Sequence, residues 1–226
     1  MFYFDPRYFL FVAPAILLMM WAQYRIRWAY QQGMQIRTRL SGAEAAKQIM
    51  ESEGLFDVAI EEIGGQLTDH YDPSARVLRL SSAVYTSRSA TAVGIAAHEA
   101  GHALQHAKGY IPLYLRNAAV PAAQFGPILF MILVGLGFFL QMPQLIWAGL
   151  AAYGCIFVFQ LVNLPVEIDA SNRAKWHLEE LGIVNNEGAG AVRAVLNAAA
   201  WTYVAATLQA LLTLLYYMMR LAPRNR

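Results

Sequence analysis

The stretch Gly94-Ile-Ala-Ala-His98-Glu99-Ala-Gly-His102-Ala-Leu-Gln-His106-Ala-Lys-Gly-Tyr110 sets three histidines and a glutamate within nine positions of an otherwise apolar sequence. On a helix, residues four apart differ by about 40° in azimuth, so His98 and His102 project from one face and can share an ion. Glu99 points about 100° away from His98. A carboxylate beside a metal, not on it, suits proton transfer from water, so His-Glu-x-x-His describes a mechanism as well as a pattern. The small residues Ala100, Gly101 and Ala103 leave room next to the backbone.

The surroundings are those of a membrane protein. The 226 residues are 58% hydrophobic and 14% charged, with a mean hydropathy of +0.36. That is more apolar surface than a water-soluble domain needs. Net charge is only +2 and basic residues do not cluster with aromatics, so the electrostatic footprint of a nucleic-acid binder is missing. Cys155, alone in an apolar run, offers neither an intrachain disulfide nor a thiolate cluster and reads as a packing residue.

Four segments reach bilayer length: 8–24, 118–140, 145–164 and 203–221. They divide the chain into an N-terminal anchor (1–27), a polar block carrying the histidines (28–117), a transmembrane hairpin (118–164), a second polar block (165–201) and a C-terminal apolar helix with a basic tail (202–226). Asp5 and Pro6 make a poor basic leader, so the first segment reads as a retained anchor and not a cleaved signal. Pro121 and Pro127 predict a second span that begins late or is kinked. Thr207, Gln209 and Thr213 make the last segment the most polar of the four. An even number of spans places both polar blocks on one side. Arg25, Arg27, Arg37, Arg39, Lys47, Lys108, Arg116, Arg173, Lys175 and Arg193 flank them, against Arg7, Arg220, Arg224 and Arg226 opposite, which assigns the blocks to the cytoplasm.

Within the first block, Ser41-Gly-Ala-Glu44 is a capping box that opens a helix running to Gly54. Short strands follow at 58–63, 66–68 and 77–80, separated by Gly64-Gly65 and by a turn over Asp69-His70-Tyr71-Asp72-Pro73, where His70 reads as structural. Ser87, Ser89 or Thr91 then caps the histidine helix, which Gly109 ends. The fold class is therefore mainly α, an integral membrane protein of about four transmembrane helices with an α+β cytoplasmic region containing a small sheet.

A catalytic zinc site needs a third protein ligand and keeps a fourth position for water. His106 continues the same helix side but lies too far along the axis to close a tight tetrahedron with both other histidines. Glu167, in Leu164-Pro165-Val166-Glu167-Ile168-Asp169-Ala170-Ser171, is the better candidate, entering from a second helix whose first turn Pro165 would open. Its bland alternative is an acid enriched in a first turn on dipole grounds. Asp169, two residues on, faces elsewhere on that helix. His106, Asp169 and Ser171 are candidates for orienting the ligands. His177, Arg173, Asn197 and Tyr203 are candidates for stabilising an oxyanion, and none stands out.

His98-Glu99-Ala100-Gly101-His102-Ala103, preceded by Asp69-His70-Tyr71-Asp72-Pro73 and Leu78-Arg79-Leu80-Ser81 and followed by Pro165-Val166-Glu167-Ile168-Asp169-Ala170-Ser171, resembles the YugP-type bacterial membrane zinc metallopeptidases. The resemblance runs from about Pro6 to Arg220. It implies a gluzincin-like, that is zincin-like, catalytic region with one Zn2+ per chain, held by His98, His102 and Glu167, and with Glu99 as catalytic base. HtpX-type and CAAX prenyl proteases are more distantly similar, and usually carry Asp four residues after the third-ligand Glu, where this chain has Ser171. By the same resemblance, Val77 to Ser82 would be an unpaired extended segment to which a substrate adds as a strand. The expected activity is endopeptidase cleavage of protein or peptide substrates at the membrane surface, with membrane lipid as the other partner and no role for nucleic acid. The rival is a non-catalytic membrane scaffold whose metal site ties two cytoplasmic segments together.

Overall fold

A computed structural model of the chain describes residues 6–221; Asp5, Arg224 and Arg226, invoked above, lie outside the described residues. The elements are α1 (Pro6–Gln35), α2 (Gly42–Ser52), β1 (Ala59–Ile63), β2 (His70–Asp72), β3 (Val77–Ser81), α3 (Ser82–Tyr85), α4 (Ala90–Ala107), α5 (Ile111–Phe139), α6 (Pro143–Glu180) and α7 (Asn186–Leu221). Helices α1, α5, α6 and α7 are each long and apolar enough to cross a membrane, and only 17–22% of their most apolar windows is buried. An apolar surface left open on four helices is what a bilayer covers.

The chain forms two compact units. The described part of one comprises 6–21, Leu115–Pro165 and 201–221. Its helices meet through aromatic rings and small residues, as expected where lipid removes the hydrophobic drive between helices. Tyr8 packs edge-on to Tyr216, and Phe130 lies against Tyr153 and Tyr217. Two of the polar residues of the last apolar segment have partners: Thr213 shares a hydrogen bond with Tyr8 at 3.1 Å, and Thr207 donates to the carbonyl of Tyr203 at 2.8 Å. Leu10, Leu17, Phe125, Phe138, Phe139 and Met219 point outward.

Pro121 and Pro127 sit inside α5, which starts at Ile111, so this helix begins early and not late. Pro165 likewise lies inside α6 and does not open a new helix. A proline removes one donor and crowds one carbonyl, a local cost that continuous helix-forming sequence on both sides can absorb.

The second unit holds Ala22–Tyr114 and Val166–Ala200. Ser41 accepts from Glu44 N and Glu44 accepts from Ser41 N, completing the capping box of α2. The sheet order is β1-β3-β2, with β1 parallel and β2 antiparallel to β3. Two expectations are overturned here. The second strand is at His70–Asp72 and not 66–68, because Gly65 and Leu67 both take positive φ and Thr68 Oγ1 closes back on Gly64 O, making 64–68 the turn. The Asp69 carboxylate then takes Ser81 N at 2.7 Å and Ser81 Oγ at 3.0 Å, fixing where β2 starts. Val77–Ser81 is the central strand, paired with β1 along its length and with β2 over Val77 to Arg79, and Ser81 is taken by Asp69, so it is not the unpaired segment expected for strand addition.

Leu78 and Leu80 of this strand are fully buried with Ile49 and Met50 of α2, Val93 and Leu104 of α4, Leu178 of α6 and Val192 of α7. Each such side chain contributes about 1.5–3 kcal/mol by leaving water. Ser89 caps α4 by accepting from Ala92 N, and Thr91 Oγ1 donates to Tyr30 O of α1 at 2.9 Å. Gly109, at φ +64, takes the left-handed conformation just past the last turn. Helix α4 is buried along most of its length, and its alanines and glycines are what let its neighbours come close.

Candidate metal centre

Helices α4 and α6 lie close together at Gly101, where an added Cβ would lie 2.7 Å from Ala170 O. This contact lies between His98 and His102 on α4 and three residues past Glu167 on α6. It brings Glu167 Oε2 to 3.1 Å from His98 Nε2 and 3.7 Å from His102 Nε2. One ligand atom from each of the three residues lies within 4.8 Å of the others. His102 and Glu167 are buried and His98 is half-buried. Tetrahedral zinc with bonds of about 2.0–2.1 Å sets its ligand atoms roughly 3.3 Å apart, so the two measured carboxylate–imidazole separations bracket what the ion requires. Two imidazoles and a carboxylate are also a donor set of the kind catalytic zinc uses, and the residues present fit such an ion.

Each histidine is held at its other ring nitrogen. Ser171 Oγ is 3.1 Å from His98 Nδ1, and Gln105 Oε1 is 2.9 Å from His102 Nδ1. Asp169 does not face away from the histidine helix: its Oδ2 accepts from Gln105 Nε2 at 2.8 Å and from Arg173 Nε at 2.6 Å. Glu99 is half-buried beside the cluster. Desolvation raises its pKa, opposed by the nearby His102 and His98. A raised carboxyl pKa brings a base closer to the pH at which it must both take and return a proton.

The remaining candidates lie elsewhere. His106 Nδ1 pairs with the Tyr71 hydroxyl at 2.8 Å and its ring packs on Tyr114. His177 is buried with Nε2 at 3.3 Å from Glu53 Oε1. Arg173 is engaged with Asp169, and Asn197 accepts from Lys175. Tyr203 sits on α7, in the unit formed by the apolar helices. Gln105 is the residue that reading the sequence missed. Its one signal was its position three residues after His102 on a helix of regular period, which puts it within reach of that ring.

The chain is thus a membrane protein of four long apolar helices with two imidazoles and a carboxylate that could hold one ion. The comparisons are more specific. Over residues 8–222 the chain matches the family described as "Putative neutral zinc metallopeptidase", and it belongs to that family. It is 41% identical over 218 residues to "Putative membrane protease YugP" of Bacillus subtilis (strain 168), covering 93% of this chain and 95% of that relative. No solved structure matches.

Proposed function

We propose that the protein is a zinc-dependent endopeptidase that cleaves membrane-associated or misfolded proteins near the cytoplasmic face of the membrane. The observation that carries this reading is the meeting of His98, His102 and Glu167 around one point, with the Glu99 carboxylate alongside. Zinc held there would polarise a scissile carbonyl and acidify water. Glu99 accepts the proton from that water and returns it to the leaving amine, so the carboxylate ends the cycle as it began. His98 and His102, each fixed at Nδ1, keep their Nε2 atoms turned toward Glu167.

Three protein ligands and not four favour catalysis over a structural role, because closed structural zinc sites are almost always four-coordinate through protein side chains. Among the described residues no fourth His, Cys, Asp or Glu joins the cluster. The membrane-surface location is supported by the chain itself: Glu167 follows the apolar segment ending at Leu164 by three residues. The excess of Lys and Arg flanking the polar blocks supports the cytoplasmic side.

The test is turnover of a quenched fluorescent peptide by detergent-purified wild type and Glu99→Gln, both loaded with zinc. Wild type should cleave, and the variant should retain zinc but lose about 10²–10⁴-fold in kcat. Equal turnover by the two would sink the assignment of Glu99 and with it the proposed reaction.

A further inference from the structure

We propose that Gln105 is a positioning residue for the metal site, holding His102 in the tautomer that presents Nε2 to the ion, and that Asp169 in turn holds Gln105. This rests on the zinc reading above and deepens it.

The direction of each hydrogen bond follows from donor chemistry. The Gln105 side chain is fully buried, and its amide nitrogen is 2.8 Å from Val166 O and 2.8 Å from Asp169 Oδ2. A carbonyl and a carboxylate only accept, so both N–H groups of the amide are committed to α6 and the amide cannot turn over. Its oxygen therefore faces His102 Nδ1 at 2.9 Å. An amide oxygen also only accepts, so Nδ1 carries the proton and Nε2 is the nitrogen left to bind a metal. Arg173 anchors the far end, with Nε 2.6 Å from Asp169 Oδ2 and its guanidinium 5.9 Å from the centre of the Tyr110 ring. From Arg173 through Asp169 and Gln105 to His102, each acceptor is fixed by a group of one possible polarity.

His98 is held differently. Ser171 has a hydroxyl that can donate or accept, so it sets the position of the ring without dictating its tautomer. Gln105 also does something Ser171 cannot. It stands on the histidine helix and reaches residues 166 and 169 of α6, on either side of Glu167, so one side chain ties the second ligand to the third.

The experiment compares zinc affinity, by competition with a chromogenic chelator, for the full-length wild type, Gln105→Met and the double variant Gln105→Glu with Asp169→Asn, with folding checked by circular dichroism. Gln105→Met keeps the side-chain length but offers His102 no acceptor, and should bind zinc about 10–100-fold more weakly. The double variant restores an acceptor to His102 and a donor at position 169 with the total charge unchanged, and should recover most of that loss. Recovery is what separates positioning from packing, because the double variant gives up the Val166 bond and the charged partner of Arg173. Should Gln105→Met fail to fold, the ring nitrogen shifts of His102 in zinc-free wild type, by 15N NMR, read the tautomer directly: a proton on Nδ1 is expected, and one on Nε2 alone overturns the inference. Wild-type affinity in Gln105→Met, or a double variant no tighter than the single one, overturns the inference while leaving the metal site intact. Absence of zinc binding by wild type overturns the metal site itself and the inference with it.

Discussion

Gly101 packs against the backbone of Ala170, joining the two ligand-bearing helices: a methyl group on Gly101 would meet the Ala170 carbonyl oxygen at 2.7 Å. The obstacle is backbone, which cannot rotate aside. Gly101→Ala should therefore push α6 from α4, destabilise the protein by about 1–3 kcal/mol and weaken zinc binding together. Thermal melting and zinc titration on the same samples check this. A variant with an unchanged melting temperature would show that the helices are not in contact there.

Ser171 is a second, separable support. Ser171→Ala removes the partner of His98 Nδ1 without disturbing Gln105, and zinc affinity should fall about ten-fold with the fold unchanged. Chelator competition measures it, and an affinity equal to wild type would mean that His98 needs no such partner.

What could be read from the sequence divides along the range of the interactions. His98, Glu99 and His102 are legible because helix period alone relates them, and the Ser41–Glu44 box because its partners are three residues apart. Apart from the family resemblance, Glu167 could be singled out only as an acid following an apolar run. Its distance from His98, 69 residues away in the chain, is a product of the Gly101 contact. Gln105 had only its spacing from His102 to mark it, since a glutamine on a helix is ordinarily a solvent-facing residue and only tertiary packing buries this one. The strand at His70–Asp72 was misplaced for a similar reason. Positive φ at a non-glycine residue, Leu67, leaves no mark in composition, and the Asp69–Ser81 bonds that set the strand's start span 12 residues. Pro165 misled in the other direction, because a proline that commonly opens helices here lies within one.

Acid stability should depend on Glu53 at the end of α2. A hydrogen bond from Lys108 Nζ, at 2.8 Å, holds its carboxyl below the usual value of 4.5, against some opposition from burial. A depressed folded-state value means that the folded protein binds fewer protons than the unfolded one in that window. The contribution is then complete above the unfolded value and is lost as pH falls through the folded one. Lys108→Met should flatten the fall in melting temperature as pH drops below the ordinary carboxylate value of 4.5. An acid limb as steep as that of wild type would remove Glu53 from the account.

The interior of the second unit makes a cruder prediction. Leu80 is fully buried on the central strand, and Leu80→Ala should cost about 2–5 kcal/mol. Chemical or thermal unfolding in detergent would register it, and a loss below 1 kcal/mol would mean that the strand is not where the core is densest.

The central claim, that residues from two distant parts of the chain form one zinc site, is tested most directly by elemental analysis of detergent-purified wild type and Glu167→Ala side by side. About one zinc per chain in wild type and much less in the variant is the expected result. Equal zinc in both proteins, or none in carefully handled wild type, would contradict it.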